Sequence, residues 1–281
     1  MGICMEKVKI EKNTVQETLM VPLYGRKMCS EKFSELYKDI FVEKLCARLD
    51  YDFSELEKKK NSFLYEFGAL EAAMRQLDII WEIKEYLKDH PKASLVNLGC
   101  GLDETGKTCD NGLCNIVNID FPDVISIRKQ LISEHEREKN IACDLKDYSW
   151  INEIDGSNDV IFFAAGVFHY FKTKEVKTLV LKLSREYPGG CLVFDSVGKL
   201  GLKLMMKKVL KNMGISDVEG LFYVNNPKKD LNWSEKIRVG SKGYMLGYYD
   251  MKSPNVNVFH RLLARIADNG MKLSVNRMDF E

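Results

Sequence analysis

The sequence predicts an α/β protein, a mostly parallel sheet flanked by helices, with a helical segment at its N-terminal end. Three observations predict it. Residues 1–92 are poor in glycine and proline and carry apolar residues at helical spacing. Beyond His90-Pro91, short apolar runs bounded by glycine alternate with helical stretches, the pattern of strands joined by helical crossovers. One of those runs, Ser94-Leu-Val-Asn-Leu-Gly-Cys-Gly-Leu-Asp103, breaks into two glycines one residue apart, as a buried strand does on entering a ligand-binding turn.

In chain order, the spacing predicts a helix over 15–28 with Thr14 as its cap. Helical pattern continues over 33–49 and 63–87, and the charged run 55–60 between them reads as a solvated face or loop. Arg75 is a lone cation within Ala69-Leu-Glu-Ala-Ala-Met-Arg-Gln-Leu77; on these residues alone it fits the solvent side of the helix as well as a functional one. Proline disfavours helix at the residue before it, so His90-Pro91 ends this block. Residues 1–92 are therefore expected to form a helical cap and 93–281 the sheet domain.

Within that domain, strands are expected at 95–98 and 116–119, then a helix over 122–133 with Pro122 in its first turn. A short third strand over 140–145 carries Asp144, and a fourth over 159–164 runs into Ala165-Gly-Val-Phe-His-Tyr-Phe171. Thr173 is expected to cap a helix to 185, Pro188-Gly-Gly190 to turn, and 191–194 to form a fifth strand ending at Asp195. A basic amphipathic helix over 199–213 reads as a solvated face, followed by a helix over 256–267 and a strand over 271–280.

Composition narrows the function classes. With 281 residues, 45% hydrophobic and 30% charged, the chain has the balance of an ordinary soluble protein. A net charge of +1 supplies no basic footprint for nucleic acid. No apolar run reaches the roughly 20 residues that span a bilayer, and position 6 lacks the Ser or Thr of a myristoylation signal. The eight cysteines, with no signal peptide, read as reduced thiols, so a cytoplasmic protein is expected. Cys100, Cys109 and Cys114 fit no common zinc spacing and have no histidine nearby, so no metal is expected.

The glycine turn can be asked which nucleoside it suits. A dinucleotide fingerprint needs a third glycine at position 104, where Glu104 stands. The phosphate-loop spelling is present as Gly101-x4-Gly106-Lys107-Thr108, but Asp103 and Glu104 would repel phosphates and Cys109-Asp-Asn-Gly112 reads as a turn where that loop needs a helix. A cationic nucleoside with a ribose and no phosphate suits these acids better, and S-adenosylmethionine is such a ligand. In an open parallel sheet the ligand lies beyond the carboxyl ends of the strands, and Asp103, Asp120, Asp144 and Asp195 all fall there. Asp120 is placed for ribose hydroxyls, Asp144 for an exocyclic amine with Leu145 on the adenine face, and Asp103 for an amino acid moiety. Any one of them could equally be a loop aspartate bonded to its own backbone. Methyl transfer from a sulfonium rests mainly on holding donor and nucleophile in line; a carboxylate acceptor needs no base, whereas a hydroxyl does. His169 titrates in the right range for that base, although a histidine between aromatics also suits a packed core.

Val15-Gln-Glu-Thr-Leu-Met-Val-Pro-Leu-Tyr-Gly-Arg26, Arg75, Val96-Asn-Leu-Gly-Cys-Gly-Leu-Asp103, Ile119-Asp-Phe-Pro-Asp-Val124 and Ala142-Cys-Asp-Leu145 resemble the leucine carboxyl methyltransferase family. The likeness is nearest to its bacterial branch, which includes polyketide O-methyltransferases. This resemblance implies a class I, Rossmann-like methyltransferase fold with a seven-stranded sheet, an N-terminal helical cap, S-adenosylmethionine as cofactor and S-adenosylhomocysteine as product. It implies that Arg75 pairs with the cofactor carboxylate, Gly99 and Gly101 form the cofactor loop, Asp120 binds ribose, Asp144 and Leu145 bind adenine, and Tyr170 faces the acceptor. Two departures stand out: Glu104-Thr105 where the family has Thr-Arg, and Ala165 where it has glutamate. Two functions follow as expectations, an O-methyltransferase acting on a carboxylate or hydroxyl of a small molecule, or a module that binds the cofactor without transferring methyl.

Overall fold

Apolar runs that do not alternate with polar residues make strands buried on both faces, and that is how the centre of this molecule is built. The computed structural model describes residues 7–11, 15–212 (side chains through 205) and 220–281. A two-residue strand β1 (Val8–Lys9) is followed by α1 (Val15–Thr18), α2 (Met20–Lys32) and α3 (Val42–Ala47). Then come β2 (Leu49–Asp50), the single turn α4 (Ser54–Glu57) and the 27-residue α5 (Phe63–Asp89). The sheet domain continues with β3 (Ser94–Leu98), α6 (Thr105–Cys109), β4 (Asn115–Asp120), α7 (Pro122–Leu131) and β5 (Glu138–Ala142). After these, β6 (Val160–Ala164), α8 (Thr173–Glu186), β7 (Cys191–Ser196), α9 (Lys199–Asn212) and α10 (Pro227–Asp230) lead to β8 (Ile237–Gly243), α11 (Val258–Gly270) and β9 (Ser274–Phe280).

Seven strands form one sheet in the order β5-β4-β3-β6-β7-β9-β8. All neighbours are parallel except β9, which is antiparallel to both β7 and β8. The order reverses at β3, between β4 and β6, and the carboxyl ends beside such a switch are where open α/β sheets bind ligands. Successive side chains point to opposite faces. Leu95, Ile161, Phe163 and Val193 pack with α5 and α11 on one side. Val96, Leu98, Phe162 and Phe194 pack with α8 and Trp150 on the other. Trp150, Phe162 and Phe194 are fully buried, and each such side chain contributes about 1.5–3 kcal/mol relative to exposure. A third cluster joins Val8, Leu23, Val42 and Leu45 of the N-terminal segment to Leu102, Ile127 and Leu131, so that segment lies over the turn after β3.

Helix α5 runs antiparallel to the central strands. Near its end the Tyr86 hydroxyl donates to Val160 O at the start of β6 (3.3 Å), while Arg75, three turns earlier, reaches Asp195 near the end of β7. The turns of α5 that precede Arg75 therefore lie past the carboxyl rim of the sheet.

Several local expectations shift. The helix expected over 15–28 breaks at Leu19 and runs on to Lys32, and Thr14 lies outside the described residues. Most of 33–49 is not helical, because Asp39 Oδ1 accepts from Phe41 N and Val42 N and starts only the short α3. The third strand stops at Ala142, leaving Asp144 two residues beyond it. Lys172, not Thr173, caps α8; Glu175 Oε2 reaches back to Lys172 N at 2.7 Å. The basic helix over 199–213 is α9, with Met213 outside the described residues. Strand β8 was not foreseen, since along this edge strand only Ile237 is buried and the residues around Gly240 read as loop.

Candidate functional site

The turn after β3 is built to expose backbone. Gly99 and Gly101 have φ of +73° and +49°, the left-handed region that side chains disfavour. A Cβ on Gly99 would stand 2.6 Å from Val167 Cγ2, so the turn is held close to the segment after β6. Three consecutive carbonyls of this turn are gripped by two arginines. Arg128, fully buried on α7, donates through Nη1 to Gly101 O (3.1 Å) and Asp103 O (2.6 Å). Arg26 on α2 donates to Leu102 O at 3.0 Å and pairs with Asp39. Charged donors to buried carbonyls are among the stronger hydrogen bonds, so the loop is rigid where Glu104-Thr105 had suggested a missing arginine.

Asp120, at the tip of β4, turns its carboxylate towards the same loop. Oδ2 accepts from Gly101 N at 2.8 Å and Oδ1 from Phe121 N at 2.8 Å. Burial raises its pKa, and those two amides act against the rise. Each oxygen keeps a lone pair, so a vicinal diol can bond both. Asp144 lies beyond the end of the neighbouring strand, since Asp120 pairs in register with Ala142. It is exposed, with Oδ1 accepting from Lys146 N, and Leu145 beside it is buried in the core beneath. Asp103 is half-buried, and its Oδ1 accepts from Thr105 N, the first residue of α6.

A second cluster sits at the ends of β6 and β7. Asp195 Oδ2 lies 3.1 Å from Arg75 Nη1 and 3.0 Å from His169 Nε2, while Oδ1 accepts from Gly166 N at 2.6 Å. Burial alone would raise the Asp195 pKa; Arg75, His169 and the Gly166 amide overcome that and hold it well below the usual carboxylate range. Gly166, at φ +71°, is needed here because a Cβ would meet the Arg75 guanidinium at 3.0 Å. Arg75 is half-buried and not turned out to water; its Nε is enclosed, while Nη2 bonds no described residue and so keeps a donor for a carboxylate. His169 is a correction to the picture of a base facing an acceptor: it is 3% exposed, with Nε2 tied to Asp195 and Nδ1 enclosed without a partner. Tyr170, the next residue, is 60% exposed.

The structure thus brings Arg75, Gly99, Gly101, Asp103 and Asp120 to one rim, with Asp144 beyond the next strand. Leu19 of the N-terminal segment reaches this rim, its Cδ2 3.1 Å from where a Gly101 Cβ would be. A diol acceptor, a bare glycine backbone and a guanidinium with free donors match a nucleoside that ends in an amino acid. They do not match a triphosphate. Lys107, the cation of the phosphate-loop spelling, donates to Ser133 O and pairs with Glu104 and Glu138 at 3.2 Å each. Two clefts of about 500 Å³ lie elsewhere, one by Gly156, Asp159 and Tyr187 at the amino ends of β6 and β7, one by Phe41, Lys44 and Lys107 outside α6. Neither brings together groups with this chemistry. No group of three or more His, Cys, Asp or Glu among the described residues could hold a metal ion, and no described helix is long and apolar enough to cross a membrane.

Arg128 was missed in the sequence, though a signal existed: it lies four residues after Val124 and three before Leu131, on the buried stripe of α7. Asp195 was noted only as a strand-end acid; its pairing with both Arg75 and His169 depends on elements 120 and 26 residues apart.

The profile of the leucine carboxyl methyltransferase family matches residues 29–184. A tetracenomycin polyketide synthesis O-methyltransferase of Streptomyces glaucescens, TcmP, is 28% identical over 185 residues, covering 65% of this chain and 66% of that one. An S-adenosyl-L-methionine-dependent methyltransferase of Gibberella zeae, dpfgK, is 24% identical over 88% of this chain and 92% of its own. Among solved structures, a Thermobifida fusca protein provisionally described as a methyltransferase shares the fold at TM-score 0.60, with 14% identity over 85% of this chain and 92% of that one. The plantazolicin methyltransferase BpumL, solved with S-adenosylhomocysteine, matches at TM-score 0.51 and 14% identity over 95% of this chain and all of that one.

Proposed function

The chain belongs to the leucine carboxyl methyltransferase family, and from that membership we propose that it is an S-adenosylmethionine-dependent O-methyltransferase acting on a carboxylate or hydroxyl of a small molecule. The observation that carries the reading is Asp120, aligned by the amides of Gly101 and Phe121 at the tip of β4, beside a left-handed glycine turn. On this reading Asp120 takes the ribose hydroxyls, the backbone at Gly99 and Gly101 lies along the amino acid portion, and Arg75 takes its carboxylate. Asp103 balances positive charge near the sulfonium, and Asp144 with Leu145 borders the adenine. When bound, the cofactor supplies a methyl group on a positively charged sulfur.

The chain's own contribution is positioning. Arg26 and Arg128 hold the loop, and Asp195 fixes Arg75 against Gly166. His169 acts through Asp195, while Tyr170 is open at the rim for an arriving acceptor. Residues 1–92 serve as a helical cap that limits water; the contact of Leu19 with the glycine turn supports this. The seven described cysteines are all free, in keeping with work in the cytoplasm.

One observation favours a second reading, a module that binds the cofactor without transfer: position 165 is alanine, where the family resemblance leads one to expect a glutamate. Incubation with methyl-labelled S-adenosylmethionine and a panel of phenols, enols and carboxylic acids separates the two. Labelled ether or ester together with S-adenosylhomocysteine supports transfer. Calorimetric binding of S-adenosylhomocysteine with no labelled product from any acceptor supports the binding module.

A further inference from the structure

We propose that Glu71 is the base that takes the acceptor's proton, and that the acceptor is therefore a phenol or enol hydroxyl, not a carboxylate. The inference rests on the proposed function and deepens it. Glu71 lies four residues before Arg75 on α5, so it stands on the same face, about 6 Å further along the axis. Because α5 runs antiparallel to the strands, that step leads away from the sheet and past the carboxyl rim, the side from which an acceptor would approach the proposed cofactor site.

The surroundings of Glu71 fit the role. It is half-buried and has no hydrogen bond or close ion pair among the described residues. The charged and titratable groups that face it are Arg75 on its own helix, Tyr244 in the turn after β8, and Asp268 on α11. Asp268 is occupied by Met245 N at 3.0 Å and Leu246 N at 2.9 Å, so it does not compete for the acceptor. Tyr244 is buried, and its hydroxyl bonds no described residue, which leaves it free to hold an incoming oxygen beside Glu71. Burial lifts the Glu71 carboxyl, Arg75 draws it down and Asp268 lifts it again, bringing it to about 7. A base at that value is part ionised at neutral pH and still holds a proton well enough to be useful. His169, the other base of the region, is enclosed and tied to Asp195.

The charge decides the acceptor class. A carboxylate needs no base, and Glu71 beside it would repel it; a hydroxyl is held by Glu71 and loses its proton to it. In the step, the acceptor oxygen forms a bond to the methyl carbon as the carbon–sulfur bond breaks. The electron pair goes to sulfur, which becomes the neutral thioether of S-adenosylhomocysteine. The hydroxyl proton passes to the Glu71 carboxylate and from there to water.

The test uses the full chain, methyl-labelled S-adenosylmethionine and the phenol, enol and carboxylic acid panel. We expect transfer to a phenol or enol, with kcat rising through pH 7. Glu71→Gln should lower kcat about 10²- to 10³-fold and abolish that pH limb, with calorimetric affinity for S-adenosylhomocysteine unchanged. Glu71→Asp should restore part of the rate and the limb. Transfer to carboxylic acids alone overturns the proposal and leaves the methyltransferase reading standing, as does a Glu71→Gln rate within threefold of the unsubstituted protein. Loss of S-adenosylhomocysteine affinity in Glu71→Gln also overturns it, since Glu71 would then belong to the cofactor site. Binding with no transfer to any acceptor overturns both.

Discussion

Arg75 Nη1 lies 3.1 Å from Asp195 Oδ2, joining the long helix of the N-terminal segment to the end of a central strand 120 residues later. Asp195 is 1% exposed, and the same carboxylate holds His169 and the amide of Gly166. The pair therefore orders three segments at once, and a ligand carboxylate would meet a guanidinium already aimed.

Asp195→Ala should destabilise the protein by about 1–3 kcal/mol, because it leaves a half-buried guanidinium and the buried Gly166 amide without their partner. Chemical denaturation at pH 7 measures this. The folded pKa of Asp195 is depressed, so its stabilisation is present above the unfolded value of about 4 and is lost as pH falls through the lower folded value. The unsubstituted protein should therefore lose more stability between pH 5 and pH 2 than Asp195→Ala does.

Arg128→Met keeps the apolar stem of the side chain but leaves Gly101 O and Asp103 O without their donor. Each buried acceptor left unpaired costs about 1–3 kcal/mol. Lower thermal stability is expected, together with weaker calorimetric binding of S-adenosylhomocysteine, because the glycine turn loses its anchor.

Asp120→Ala removes the group proposed to accept from ribose. A hydrogen bond to a charged group is worth about 1.5–3 kcal/mol, which corresponds to roughly a 10- to 150-fold weaker Kd for S-adenosylhomocysteine. Calorimetry with adenosine should show the same loss, whereas methionine, which has no ribose, should be unaffected.

Asp78 is fully buried on α5, and neither of its oxygens has a hydrogen-bond partner among the described residues. Burial, then Asp268 and Glu82, raises its pKa to about 9. A raised folded pKa means the contribution to stability is fully present below the unfolded value of about 4 and is lost as pH rises through about 9. Asp78→Asn, which mimics the neutral acid, should raise the Tm at pH 8 and change it little at pH 4. A gain of about 1–3 kcal/mol at pH 8 is expected, read from thermal melts at the two pH values.

The parts of the fold that could be read in the chain are those whose cause is local. The run 94–98 is apolar throughout because both its faces are covered, and Gly99 and Gly101 mark a turn because only glycine accepts that backbone cheaply. Asp120 follows its strand directly and could be assigned to the rim. The edge strand β8 was lost because its partner β9 defines it, not its own burial. Arg128 was lost because an arginine on an apolar stripe makes sense only once the carbonyls it serves are known.

The sequence by itself determined the α/β class, the family and the identity of the glycine turn and its acids, since each is written in neighbouring residues or in motif order. Only the tertiary structure decided that His169 is enclosed, that Arg75 is held by Asp195, and that Glu71 stands beyond the rim without a partner. The physical reason is that burial and pairing belong to the space between elements. Helix α5 and strand β7 are far apart along the chain, and nothing in either one states which way the other will run.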